Sequence, residues 1–148
     1  MSDRKKPEQG AVVVGVDGSP PSRRALRWAV RQAEATGMKI VAVYAWRPPT
    51  RYGTGVMVMP GVEWAEEARA ALYSTVETFS ARWPNVPIEQ RVIEGHPAAV
   101  LLEQAEGADL LVVGSRGHGG FMGALLGSVS NHCVHHATCP VVVVPDPV

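Results

Sequence analysis

The chain has little cysteine and no surplus of charge of either sign. Among its 148 residues only Cys133 and Cys139 are cysteines, too few for a disulfide framework, and we interpret them as small buried hydrophobic residues. Lysine and arginine number 14, and so do aspartate and glutamate. This balance gives no general attraction to nucleic acid or to an anionic membrane, so we expect no nucleic-acid partner.

The sequence also lacks any apolar run approaching the roughly 18 residues that a membrane-spanning helix needs. Residues 1–10 are polar and contain no signal-peptide core, and we interpret them as a tail before one domain over residues 11–148. A hydrophobic content of 46% with 19% charged residues is typical of a globular domain. We therefore expect a cytoplasmic protein without a membrane partner.

What the sequence does contain is a regular alternation of short apolar segments with amphipathic ones. The pattern predicts strands over 11–16, 39–45, 88–94, 110–113 and 141–144. It predicts helices that begin at Pro20, Gly61, Pro97 and Ser128 and end near Thr36, Arg82, Ala105 and Ala137. Such an order indicates an α/β domain with an open five-stranded parallel sheet and helices on both faces.

Ligands of such sheets bind beyond the carboxyl ends of the strands. Two segments of this chain are predicted to lie there: the turn Asp17-Gly-Ser19, in which Ser19 is a good N-cap, and the segment 114–128. The proline-containing segment 46–60 is predicted to be a loop or a lid. If the first and fourth strands are neighbours, the two turns frame one crevice.

The segment 114–128 is rich in glycine and connects a predicted strand to a predicted helix. Its six glycines are residues 114, 117, 119, 120, 123 and 127, and no acidic side chain occurs between Gly114 and Ser130. Main-chain N–H groups converge in such a turn without obstruction by Cβ atoms, and the helix N-terminus adds unpaired donors. The segment therefore predicts an anion site, and the anion we expect there is the phosphate chain of a nucleotide.

Two common phosphate-binding motifs are absent. No lysine follows a glycine as a Walker loop requires, and Met122 stands where a dinucleotide fingerprint starting at Gly117 needs glycine or alanine. The pattern G-x2-G-x9-G-S does fit, with Gly114, Gly117, Gly127 and Ser128. With the Val-Gly-Val-Asp-Gly-Ser opening and the Cys-Pro-Val-Val-Val ending, the sequence resembles the ATP-binding subgroup of the universal stress protein family over about residues 11–144.

The resemblance implies a flavodoxin-like sheet of order 3-2-1-4-5 that binds ATP, or ADP or AMP, without a Walker lysine. It implies contacts to ribose and phosphates from Gly114, Gly117, Gly127 and Ser128, and main-chain or hydroxyl donors from Val129 and Ser130. Asp17 is expected near the ribose or a phosphate-bound Mg²⁺ or Mn²⁺. The adenine contacts are expected from Gly15, Val16, Ala45 and Val113. Arg116 is the permanent cation nearest the loop, and arginine suits phosphate.

Simpler roles stay open for several of these residues. Asp17 or the serines can be helix caps without a ligand, and Arg116 can be a solvated loop charge. His132 and His136 lie one helical turn apart, with Cys133 and His135 between them, but a zinc site usually needs three or four converging ligands. We therefore expect no metal held by protein side chains alone.

The leading functional hypothesis is a nucleotide-dependent stress-response or signalling factor whose protein partner is unknown. The loop has no obvious catalytic apparatus, so we predict no catalytic residues and at most slow ATP hydrolysis. A slow ATPase or autokinase is one alternative. A ligand-independent assembly module is another, because the apolar strand Val141–Val144 is expected to pair with its copy in a homodimer, as the family tends to do.

Overall fold

The computed structural model describes residues 10–48, 61–116 and 126–146. The strands are β1 (Ala11–Gly15), β2 (Lys39–Trp46), β3 (Ile88–Glu94), β4 (Leu110–Gly114) and β5 (Val141–Val144). The helices are α1 (Pro20–Thr36), α2 (Gly61–Arg82), α3 (Pro97–Gln104) and α4 (Ser128–His136). In this part of the chain no helix is both long and apolar enough to cross a membrane.

The strands form one parallel sheet of order β3-β2-β1-β4-β5, which confirms the predicted fold. β1 is central and pairs with both β2 and β4, so strand order reverses between β1 and β4. The more polar β3 and the short β5 are the edges. This arrangement places a crevice between the carboxyl ends of β1 and β4.

Side chains alternate between two layers of core. Val12, Val14 and Val112 face α1 and α2, whereas Val13 and Val113 face α3 and α4. The alternation is the two-residue period of a strand, and it explains why the central strands are apolar at every position. Because both faces are covered, the strand ends are the part of the sheet that is open to a ligand.

Helix boundaries follow the predicted signals. Ser19 is the N-cap of α1 and accepts from the Ser22 N–H at 3.3 Å, and the left-handed Gly37 (φ 77°) ends that helix. Trp46 still pairs with Glu94 in the sheet, so the loop predicted from residue 46 begins later than expected. Residues 49–60 of that loop and 1–9 of the tail lie outside the described residues.

Candidate functional site

A cavity of about 300 Å³ opens at the carboxyl ends of β1, β2 and β4. Its size is at the lower end of the range for small-molecule sites. Its walls come from three strand ends, the starts of α1 and α3, and the first turn of α4. The residues that line it are Gly15, Val16, Asp17, Ser22, Val43, Tyr44, Ala45, Pro97, Leu101, Val113, Gly114, Arg116, Gly127, Ser128, Val129 and Ser130.

The turn between β1 and α1 forms one wall, and its hydrogen bonds fix the Asp17 carboxylate. Oδ1 of Asp17 accepts from the Ser19 N–H at 2.9 Å and from the Ser19 hydroxyl. The Asp17 N–H in turn donates to Oγ of Ser22 at 3.2 Å. Asp17 therefore stabilises the entry to α1 and borders the cavity at the same time, so the two roles considered for it do not exclude each other.

The start of α4 forms another wall. Gly127 is the N-cap in extended conformation (φ −71°, ψ 168°), and no side chain caps the helix. The Gly127 N–H donates to the Ser115 carbonyl at 2.6 Å, and the Asn131 N–H to the Gly127 carbonyl at 2.9 Å. The N–H groups of residues 128–130 precede the first complete turn and have no carbonyl acceptor within the helix. These donors, with the positive end of the helix dipole, border the cavity.

The hydroxyl of Ser130 is already used inside the protein. It donates to the carbonyls of Ser115 at 3.0 Å and Gly127 at 3.1 Å, and the residue is buried. One hydroxyl hydrogen serves both acceptors, so these bonds fix the loop against α4. Of the two donors expected from Ser130, the main-chain N–H is the one left for a ligand.

Arg116 also borders the cavity, and its guanidinium is ion-paired. Its Nη2 donates to Oδ2 of Asp146, while Nη2 of Arg24 on α1 donates to Oδ1 of the same carboxylate. The hydrogen bond from Arg116 is the main cause of a lowered pKa for the Asp146 carboxyl, opposed by burial and assisted by Arg24. Arg116 is therefore a paired cation at the cavity rather than a solvated loop charge.

Two glycines permit close approach of other elements. A Cβ on Gly114 would lie 2.8 Å from the Pro21 carbonyl oxygen at the start of α1. A Cβ on Gly15 would lie 2.8 Å from Cδ1 of Leu101 on α3. Gly114 thus has a packing reason to be glycine in addition to its position at the cavity.

The lining of the cavity also contains residues that were not selected as site residues from the sequence. They are Ser22, Val43, Tyr44, Pro97 and Leu101. Burial, together with the charges of Asp17 and Glu67, raises the pKa of the Tyr44 phenol, which therefore stays protonated at neutral pH. Val43 and Tyr44 precede Ala45 at the end of a predicted strand, and this position is the sequence signal that indicates them. No such signal in the sequence indicates that Pro97 and Leu101 of α3 line the cavity.

The three histidines of α4 are exposed. The rings of His132 and His136 are 4.5 Å apart, and both are exposed. Cys133 faces the core instead, and burial raises the pKa of its thiol to about 11. Among the residues described, no three His, Cys, Asp or Glu side chains are grouped to bind a metal ion.

Comparison with known proteins identifies the family. The model of the universal stress protein family matches residues 10–145. The chain belongs to this family.

The curated relatives of this universal stress protein include longer mycobacterial proteins. It is 38% identical over 140 residues to a universal stress protein of Mycobacterium tuberculosis, covering 93% of this chain and 46% of the relative. It is 40% identical over 136 residues to one of Mycolicibacterium smegmatis, covering 90% of this chain and 45% of the relative. The chain thus spans about half the length of the curated relatives it matches.

Solved structures of the family share the fold over nearly the whole chain. A universal stress protein in complex with cAMP superposes with a TM-score of 0.69 at 31% identity, covering 95% of this chain and 98% of its own. A universal stress protein from Archaeoglobus fulgidus in complex with dAMP superposes with a TM-score of 0.66 at 22% identity, covering 90% and 95%. The second likeness shows the fold alone.

In this universal stress protein, most of the residues expected at a nucleotide site line this cavity. Gly117 lies outside the described residues. Ala45 is paired with Ile93, which settles the strand register on which its position depended. The residues brought together are Gly15, Val16, Asp17, Ala45, Val113, Gly114, Arg116, Gly127, Ser128, Val129 and Ser130.

Proposed function

We propose that this universal stress protein binds an adenine nucleotide in the cavity between β1 and β4, with ATP as the expected ligand. The observation that carries the proposal is the uncapped N-terminus of α4, whose free N–H groups border a cavity of nucleotide-compatible size. The relative solved with cAMP, at 31% identity over 95% of this chain, supports an adenine nucleotide as the class of ligand.

The residues around the cavity differ in chemistry, and we expect this difference to orient the nucleotide. Val43, Ala45 and Val113 offer apolar contact at the ends of β2 and β4, which suits a purine base. Donors from Ser128–Ser130 and the guanidinium of Arg116 line the same cavity and suit phosphates. Asp17 borders the cavity near the start of α1 and is the expected partner for the ribose.

A divalent cation is expected to accompany ATP. Asp17 is the acidic residue among the cavity-lining residues that the structure describes, and its Oδ1 already accepts from Ser19. Mg²⁺ is commonly bound by one carboxylate together with phosphate oxygens and water. A single carboxylate therefore fits Mg²⁺ or Mn²⁺ that arrives bound to the nucleotide. It does not fit a metal centre held by protein side chains alone. The cation would neutralise phosphate charge, and Asp17 would orient it.

The role we propose is that of a nucleotide-dependent stress-response or signalling factor with an unidentified protein partner. Free thiols at Cys133 and Cys139 fit the reducing conditions of the cytoplasm, where adenine nucleotides are available. The edge strand β5 supports the expected homodimer through Val141–Val144. A dimer that formed independently of nucleotide would instead favour a ligand-independent assembly module.

Slow hydrolysis or autophosphorylation is the second candidate. Within the described lining of the cavity there is one acidic side chain and no lysine, which is a sparse set of groups for phosphoryl transfer. ATP turnover with Mg²⁺ or Mn²⁺ should therefore be at most slow. A turnover rate abolished by substitution of Ser128 or Asp17 would favour the enzyme.

Calorimetry with a cavity-filling variant tests the proposal. Ala45→Phe places a ring where the base is expected and should weaken ATP binding by about tenfold or more, because the ring and the purine compete for one volume. Ala99→Phe, at an exposed position of α3, is the matched control and should bind ATP as the wild type does. Equal affinities of the two variants, or no binding of any adenine nucleotide by the wild type, would refute the assigned cavity.

A further inference from the structure

One carboxylate lies between two guanidinium groups at the edge of the cavity. Asp146 follows β5, and its two oxygens accept from Arg116, after β4, and from Arg24 on α1. The three side chains are partly exposed, with relative side-chain exposures of 24% for Asp146, 33% for Arg116 and 34% for Arg24. Three segments distant in sequence therefore converge on one negative charge.

Of these three residues, Arg116 borders the cavity. It is also the cation among the lining residues that the structure describes, so a phosphate group in the cavity would be drawn to it. Its guanidinium already contacts an anion, the Asp146 carboxylate, whose low pKa keeps it ionised at neutral pH. A bound phosphate and this carboxylate would carry like charges beside the same guanidinium.

We propose that the Asp146 carboxylate competes with a nucleotide's phosphate for the guanidinium of Arg116. To bind, the phosphate must displace this carboxylate or share the guanidinium with it. The inference rests on the proposed nucleotide site and adds a residue that tunes affinity for the phosphate chain. Arg24 gives the displaced carboxylate a second partner, because its bond to Oδ1 does not require Arg116. Asp146 then stays paired when a phosphate takes the guanidinium of Arg116.

Competition for Arg116 predicts that two substitutions change phosphate affinity in opposite directions, which a purely structural role of the ion pairs does not predict. Removing the negative charge of Asp146 frees Arg116 and makes the cavity edge more positive, so phosphate affinity rises. Removing the positive charge of Arg24 leaves Asp146 with Arg116 alone as its partner among the described residues, so Arg116 is held more tightly and phosphate affinity falls. If the ion pairs only stabilised the local structure, both substitutions would lower affinity.

Titration calorimetry at constant ionic strength with Mg²⁺ measures the affinities of the variants for ATP and for adenosine. Asp146→Asn should bind ATP about three- to fivefold more tightly than the wild type, the size expected for one partly exposed charge, and should bind adenosine equally well. Arg24→Gln should bind ATP more weakly. Asp109→Asn is the matched control, since its exposed carboxylate precedes β4 at the opposite end of the sheet.

A double variant separates the competition from a general effect of charge. In an Arg116→Gln background, Asp146→Asn should no longer increase ATP affinity, because the contested guanidinium is gone. The inference is wrong if Asp146→Asn binds ATP no more tightly than the wild type, if adenosine gains equally, or if the gain persists without Arg116. If the wild type binds neither ATP nor adenosine, the proposed function itself fails and this inference fails with it.

Discussion

At the scale of single residues, Gly114 and Gly15 both line the cavity, but a side chain would meet different atoms at each of them. The Cβ of a Gly114→Ala variant would contact backbone atoms of Pro21 at 2.8 and 2.9 Å, and neither backbone can move alone. We predict that this variant loses about 1–3 kcal/mol of unfolding free energy, the usual cost of overpacking. Chemical denaturation measures the loss.

Gly15→Ala is the matched comparison. Its new Cβ would meet the flexible end of Leu101, which can turn toward the cavity. We therefore expect a smaller loss of stability than for Gly114→Ala, together with weaker nucleotide binding because the cavity narrows. Equal losses of unfolding free energy in the two variants would contradict this assignment.

Residue pattern and family resemblance together predicted much of the lining of the cavity. The pattern of strands and helices placed the turn at Asp17 and the segment 114–128 at the ligand-binding edge of a parallel sheet, whereas the roles of Asp17 and Ser128 came from the resemblance to the family. The use of the Ser130 hydroxyl within the loop was not predictable, because it depends on where the Ser115 carbonyl points. Whether a hydroxyl finds an acceptor inside the protein depends on three-dimensional packing, which cannot be inferred from the spacing of residues in the sequence.

At the scale of the elements, β5 is an edge strand of the sheet with which a strand of a second chain can pair. The carbonyls of Pro140 and Val144 accept from Leu111 and Ser115 of the β4 side. Since backbone groups alternate in direction along a strand, the N–H groups of Val141 and Val143 point away from β4. These outward groups are the donors available for pairing with a copy of β5.

Val143→Pro removes one outward donor while leaving the bonds to β4 intact. Proline is tolerated at such a position of an edge strand, so the fold should survive. If the homodimer forms through β5, the variant should be monomeric by light scattering at a concentration where the wild type is dimeric. Val143→Ala keeps the N–H and should remain dimeric; a dimeric Val143→Pro would place the interface elsewhere.

The elements themselves were largely predictable. α2 and β5 have the predicted bounds, and α1 begins and ends at its signals, Pro20 and Gly37. Prolines and glycines at these boundaries terminate regular structure for local reasons, which sequence shows directly. The end of β2 was less predictable, because Trp46 continues the strand only by pairing with Glu94 of β3.

At the scale of the whole molecule, the feature hardest to predict is the convergence of distant charges. Arg24 and Asp146 are 122 positions apart and meet because α1 packs near β4 and β5. The strand order itself followed from resemblance to a family, since the alternation of strands and helices fits several orders. Arg116 was selected for its charge, but its pairing with Asp146 required the adjacency of β4 and β5.

The central claim is that main-chain N–H groups at the start of α4 bind the phosphates of an adenine nucleotide. Amide NMR of the wild-type protein, titrated with ATP and with adenosine, tests this most directly. We predict that ATP shifts the amide signals of Ser128, Val129 and Ser130 far more than adenosine does, with Gly37 at the opposite end of the sheet unchanged. Amide signals at residues 128–130 that do not respond to saturating ATP would contradict the account.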